Sequence, residues 1–306
     1  MPQHLAAVNA SAQICKAAVE GAELHSAHLT FIPHKVTPGR YQLSIGTAGS
    51  VILLLQTLLP ALLNSAEPSQ LTLEGGTHNP LAPTFDFFAQ AFLPIINRMG
   101  PTVTTRLERP GFYPAGGGKL QIHIEPAAKL AALHLDERGA IIAMKAIALI
   151  AHLPQHIAER ELGVLKRELA LSDDQLEITH AVSAKGPGNV VTVSITSQHI
   201  VEVLSGFGMR GVKAETVANN VAQSVKRYLR ADVPVGEHLA DQLLLPLALA
   251  GGGSFRTLKP STHSMTNIHI LEQFLPLRIS CHENGEDDWT ISIAQRGPTT
   301  QRALAG

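Results

Sequence analysis

Two periods of hydrophobic and polar positions alternate along this chain. Residues 5–19, LAAVNASAQICKAAV, carry small apolar side chains at helical spacing without Pro or Gly, which predicts a helix. HLTFIP (28–33) and YQLSIG (41–46) alternate at period two and predict strands. A pattern of loop and helix then recurs. GTAGS (46–50) precedes VILLLQTLLP, GGTHNPLAP (75–83) precedes TFDFFAQAFLP, GEH (236–238) precedes LADQLLLP, and KPSTHSM (259–265) precedes TNIHILEQFLP. Three of these helices carry Gln-x-x-Leu-Pro, at Gln56, Gln90 and Gln242, and the fourth ends Gln273-Phe-Leu-Pro. Proline has no N–H to continue the ladder and disfavours helical geometry at the residue before it, so each helix is expected to end there. The recurrence predicts a duplicated strand-loop-helix unit and a sheet with helices packed on it, an α+β fold of the α/β sandwich type.

Between 138 and 233 the repeat gives way to another small α/β pattern. IIAMKAIALIAHL (141–153) predicts a strand. QHIAERELGVLKREL (155–169) predicts an amphipathic helix with Ile157, Leu162, Leu165 and Leu169 on one side. LEITHAVSA and NVVTVSITS flank the turn KGPGN, and KAETVANNVAQSVKRYL (213–229) predicts a second helix striped by Val217, Val221, Val225 and Tyr228 or Leu229. The first pattern resumes afterwards. The simplest organisation is a discontinuous large domain, 1–137 and 234–306, with an inserted small α/β domain at 138–233.

Composition narrows the possible roles. At 306 residues, 45% hydrophobic and 16% charged, the chain can bury a large core. Its apolar runs, Val51 to Leu55 and Leu243 to Leu249, are broken by Gln56 and Pro246 well short of the roughly 20 residues that span a bilayer, so no membrane role is expected. The start Met-Pro-Gln-His-Leu does not resemble a secretion signal, and the two cysteines, Cys15 and Cys281, are too few for a disulfide framework; a cytoplasmic setting is expected. With 24 basic and 25 acidic residues, the chain is not a bulk nucleic-acid coat, although a small anion or a nucleic-acid end would suit it. Its 15 histidines lack the spacings of a metal site.

Three segments could carry chemistry. LERPGFYPAGGGKLQIHIE (107–125) places two strand-like arms around a glycine-rich centre. Gly116, Gly117 and Gly118 serve either a turn that needs positive φ or a cradle of N–H groups for an oxyanion, and Phe112, Tyr113 and Pro114 beside them could stack on a base. In KPSTHSMTNIHI (259–270), Ser261 and Thr262 are capping residues, while Met265, Ile268, Leu271 and Phe274 recur every three positions, placing His263 in a helix's first turn. There the helix dipole disfavours imidazolium, and free N–H groups favour a bound phosphate. A neutral imidazole in that place is equipped for attack on phosphorus, against the alternative of a passive histidine. Asp241, on a helix of leucine and alanine, either faces solvent or holds a ligand. Gln56 among leucines needs a hydrogen-bond partner if it is buried.

These segments together resemble the RNA 3'-terminal phosphate cyclases, over nearly the whole chain from Gln3 to about Ala294. Gly-Phe-Tyr-Pro-Ala-Gly-Gly-Gly (111–118), Glu-His-Leu-Ala-Asp-Gln (237–242) and Pro-Ser-Thr-His (260–263) leading into Thr266-Asn267 carry the resemblance. It implies a large domain of repeated βαβαββ units, like that of the enolpyruvyl transferases, with a small α/β insert. It also implies ATP-dependent conversion of RNA 3'-phosphate ends to 2',3'-cyclic phosphodiesters, assisted by a divalent metal, Mg or Mn. On this resemblance His263 is the nucleophile that carries AMP. Gln56, His238, Leu239, Ala240, Asp241 and Gln242 match ATP-binding positions, with His238 where the family often has an aromatic ring over the base, and Pro114 matches a residue packed on the adenine. Gln3, His4, Arg109 and Gly116 to Gly118 are the positions implied for the substrate phosphate.

Two departures stand out. Pro110 precedes Gly111 where the family usually has Arg or His. The family's first strand and its Gly-rich loop, bearing an acidic metal ligand and an arginine, are expected upstream of Met1. That second departure makes an inactive or non-catalytic cyclase-like RNA-binding or ribosome-assembly protein the competing reading. An enolpyruvyl transferase would leave the glycine and histidine segments unexplained. A homodimer is compatible with all of these.

Overall fold

The computed structural model describes residues 2–296. The helix expected over 5–19 is α1, Pro2–Cys15, and it is shorter than expected. The chain turns at Lys16, with φ of 50°, so that β1 (Ala18–Glu20) can pair antiparallel with β2 (Thr30–Ile32). The Ala-Val run after the turn is thus drawn into a strand by pairing that helical periodicity does not report.

Two copies of one unit follow. The first is β3 (Arg40–Ser44), α2 (Val51–Leu63), β4 (Ser69–Gly75), a continuous helical segment made of α3 (Phe85–Phe87), a π turn (Phe88–Phe92) and α4 (Leu93–Arg98), then β5 (Thr102–Arg109) and β6 (Gly118–Glu125). The sheet order is β3-β4-β6-β5, with β3 and β4 parallel and the other pairs antiparallel. The second unit opens with β7 (His134–Leu135). After the insertion come α7 (Glu237–Ala250), β12 (Gly252–Thr257), α8 (Thr262–Phe274), β13 (Leu277–Gly285) and β14 (Asp288–Gln295). Its order, β7-β12-β14-β13, and its pattern of one parallel and two antiparallel pairs repeat the first unit. Both units are βαβαββ, and they share one apolar core centred on α2 and α7.

The insertion, β8 (Ile141–Ala151), α5 (His156–Leu169), β9 (Leu176–His180), β10 (Gly188–Ser197), β11 (Val201–Phe207) and α6 (Ala214–Ala231), has its own sheet in the order β11-β10-β8-β9. β8 runs between β9 and β10, so the segments flanking KGPGN are not a hairpin. Val217, Val221, Val225 and Tyr228 of α6 are buried against Leu162 and Leu165 of α5 in a separate core. Several ties among the described residues fix this domain to the large one, four of them as follows. Ser194 donates to Gln90 (2.9 Å), and Arg227 forks onto Asp287 (2.9 and 2.6 Å). Phe112 enters a small cluster with Ala151, Ala184 and Val190. Glu202 of β11 accepts from the N–H of Gly236, the residue that caps α7 (2.7 Å).

The Leu-Pro pairs do not all end helices. Pro60 lies inside α2, Pro246 inside α7, and Pro94 follows the π turn within the continuous segment; Pro276 alone of the four follows its helix. Burial of the leucines and isoleucines on both sides of each proline outweighs one lost backbone bond, a matter of about 3 kcal/mol. Each internal proline stands four residues after a glutamine, so in the α-helices α2 and α7 the carbonyls of Gln56 and Gln242 lack their i+4 N–H partner, whereas Gln90 lies in the π turn. Among the described residues no helix is long and apolar enough to cross a membrane.

Candidate active site

One face of α7 meets α2 and α8 in a groove lined by Gln56, Pro60, Asp241, Gln242, Pro246 and Asn267, among others. Three helices thus bring together two repeats and residues more than 200 positions apart. Gln56 Nε2 is buried there without a hydrogen-bond partner. Asn267 Nδ2 donates to the main-chain carbonyl of Asp241 at 3.2 Å and to its carboxylate at 3.3 Å, locking α8 to α7.

The helical period divides the 238–242 stretch. His238, Asp241 and Gln242 lie on the outer side of α7, whereas Leu239 and Ala240 are fully buried in the core. Residues three and four apart share a face, and their immediate neighbours turn away from it. Leu239 and Ala240 therefore shape the helix without presenting a side chain to the groove.

His263 is the second residue of α8 and is exposed. Ser261 caps the helix, accepting from the N–H of Ser264 at 3.1 Å, and Asn267 lies one turn beyond His263 on the same face. The stripe expected from residues 265, 268, 271 and 274 is only half right. Ser264, Ile268 and Leu271 are buried, but Met265 is 48% and Phe274 80% exposed. A strict three-residue spacing walks around a 3.6-residue helix, while spacings of four and three stay on one face.

The remaining expected residues assemble elsewhere. Pro114, with Tyr113 and Gln3, lines a second cleft against the inserted domain and does not join the groove of Gln56 and Gln242. Gln3 Oε1 accepts from the N–H of Ser50 (3.2 Å), fixing the loop before α2, and His4 is exposed. Arg109 Nε donates to the carbonyl of Gly117 at 2.6 Å, bracing the hairpin. The glycines are consumed by packing. Gly116 has φ of 62°, and a Cβ there would lie 2.8 Å from the Ala48 backbone; at Gly117 it would meet the Lys185 side chain, and at Gly118 it would meet Thr77. Close approach of chain segments constrains all three positions, and Gly116 and Gly117 both have positive φ.

Asn267 is the residue that sequence reasoning quoted without a role. Its position four residues after His263 was the available signal. Among the described residues no group of three or more His, Cys, Asp or Glu side chains is placed to hold a metal ion by protein ligands alone.

The fold and groove define a duplicated βαβαββ protein with a histidine at the open end of a helix beside an amide-lined cleft. The family model for RNA 3'-terminal phosphate cyclase matches residues 1–281. Curated relatives bearing that name include proteins of Koribacter versatilis, 48% identical over 92% of this chain and 79% of its own length, and of Pseudomonas fluorescens, 49% identical over 93% and 83%. A relative of the same name from Salmonella typhimurium is 45% identical over 95% and 85%. The chain belongs to the RNA 3'-terminal phosphate cyclase family.

Proposed function

We propose that this protein is an ATP-dependent ligase that converts RNA 3'-phosphate ends to 2',3'-cyclic phosphodiesters through AMP carried on His263. The observation that supports this most is the link from His263 through its helix neighbour Asn267 to Asp241, beside the unpartnered Nε2 of Gln56. A buried amide without a partner is rare in a native protein and suits a ligand that supplies one. A purine nucleotide fits the donors and acceptors of Gln56, Asp241 and Gln242, with His238 at the exposed start of α7 able to stack on its base.

On this reading His263 attacks the α-phosphorus of ATP, forming an N–P bond as the bond to pyrophosphate breaks. The free N–H groups of the first turn of α8 stabilise the anion that forms beside them. AMP then passes from His263 to an oxygen of the RNA 3'-phosphate. The adjacent 2'-hydroxyl attacks that phosphorus, loses its proton and expels AMP. Asn267 holds the histidine's helix against the nucleotide groove.

The test is an RNA labelled in its 3'-phosphate, incubated with the protein, ATP and Mg or Mn. The label is expected to become resistant to phosphatase. An end that stays sensitive overturns the proposal, and equal reaction with GTP overturns the base-reading role given to Gln56 and Gln242.

A further inference from the structure

A second cleft, about 1620 Å³, separates the glycine hairpin from the inserted domain. It exceeds the roughly 300–1,000 Å³ of a site for one small molecule, which suits a polymer segment. Its wall on the insert side is the loop Gly208-Met209-Arg210-Gly211-Val212-Lys213, exposed throughout and leading into the 18-residue helix α6. Lys213 caps that helix without a side-chain bond, its carbonyl taking the N–H of Thr216 at 3.0 Å, so its ammonium is not drawn back onto the helix end. Arg160 at the cleft is already forked onto Glu215 at 2.7 and 2.6 Å. Arg210 and Lys213 stand outside every salt bridge among the described residues and are the cations left for a ligand.

The opposite wall carries Tyr113, a residue 69% exposed, and Met209 on the loop is 57% exposed. The floor supplies an independent observation. Glu161 and Asn189 are 0% and 4% exposed, and Asn189 Nδ2 donates to Glu161 Oε2 at 2.9 Å. Asn189 Oδ1 and Glu161 Oε1 have no partner. Burial pushes the Glu161 carboxyl up to about 7, so it can offer a proton while Asn189 Oδ1 accepts one. Together they match a group that both donates and accepts, as a ribose hydroxyl or a base edge does.

We propose that this cleft holds single-stranded RNA just upstream of the reacting 3' end. Arg210 and Lys213 take its phosphates, Tyr113 stacks on a base, and Asn189 with Glu161 reads a polar edge from below. The place follows from the cleft; the choice of RNA rests on the cyclase reading. A flexible acidic peptide would satisfy the two cations but not the exposed ring or the buried pair. Gln3 on the cleft's rim, among the positions implied for the end phosphate, sets the direction of the strand.

The test measures binding of a fluorescent single-stranded RNA dodecamer with a 3'-phosphate, across a salt series. The substitutions Arg210→Ala with Lys213→Ala fall on exposed residues and leave the fold intact. Losing two phosphate contacts, each about 0.7 in the log–log salt slope of a single strand, is expected to flatten that slope by about 1.4 and weaken binding about tenfold. Tyr113→Ala is expected to weaken binding about tenfold with the slope unchanged, since stacking carries no counterion release. Wild-type affinity and slope in the double variant overturn the assignment. So does an oligoglutamate peptide whose binding depends on Arg210 and Lys213 while the dodecamer's does not. Binding through Arg210 and Lys213 without cyclisation by the wild type would sink the activity and leave the cleft standing; cyclisation with binding indifferent to the double substitution does the reverse.

Discussion

Asn267 on α8 holds Asp241 on α7 by two hydrogen bonds from one nitrogen, to the main chain at 3.2 Å and to the side chain at 3.3 Å. This contact joins the helix that carries His263 at its start to the helix that lines the Gln56 groove. Under the proposed function this makes Asn267 a positioning residue for His263, acting through helix placement.

Removing the contact should therefore slow AMP transfer more than it weakens nucleotide binding. Asn267→Ala is expected to lower the rate of protein adenylylation about tenfold, equivalent to ~1.4 kcal/mol, with the KM for ATP shifted far less. Asn267→Asp sets a second carboxylate against Asp241 and should be worse than alanine. Single-turnover labelling separates the two constants. An aspartate variant as fast as the wild type would remove the positioning role.

Glu202 ties the insert to the start of α7, and its environment sets a pH dependence. Burial pushes its carboxyl from 4.5 up to about 7, overriding the two backbone N–H groups that favour the charged form. The folded state therefore binds more protons than the unfolded chain between those values, and stability falls as pH rises from about 4.5 through about 7. At pH 8 the whole cost, about 3 kcal/mol, is present. Glu202→Gln should flatten this slope, so its stability relative to the wild type improves as pH rises. Denaturant melts at pH 5 and pH 8 check this, and parallel pH profiles in the two proteins would contradict it.

The inserted domain meets the glycine hairpin where Gly188 packs on Phe112. A Cβ on Gly188 would lie 2.0 Å from Phe112 Cγ and 2.5 Å from its Cβ, too near the root of the side chain for a rotamer change to relieve. Gly188→Ala should cost about 1–3 kcal/mol by overpacking and lower Tm. Gly163→Ala, where a Cβ meets nothing within 4 Å on the exposed side of α5, should be neutral or slightly stabilising. Equal melting of the two variants would show that the Phe112 contact is not what seats the domain.

Much of this was legible in the sequence, for identifiable reasons. The duplicated loop-helix pattern reflects the two βαβαββ units because each places a buried leucine helix after a glycine-containing strand exit. The α6 stripe was readable because a long surface helix buries one face. The prolines misled because local chemistry says stop, while the core around α2 and α7 says continue. The 238–242 stretch read as one binding run, yet a helix can offer only one side of it to a ligand. Pro114 sits across the other cleft because tertiary packing of the hairpin on Ala48 and Gly188, absent from any local pattern, decides where it points. Buried Glu161 and Asn189 were hidden for the same reason: an amphipathic helix pattern marks Glu161 as polar, and only the fold shows that it lies inside.

The measurement closest to the central claim is transfer of label from α-labelled ATP to the protein. A histidine–AMP bond is a phosphoramidate, labile to acid and stable to alkali, and it should form on the wild type in the presence of a divalent metal. His263→Ala should abolish it while keeping the wild-type melting temperature, because the ring is exposed and bonds to no neighbour among the described residues. Full labelling of His263→Ala, or label that survives acid, would contradict the account.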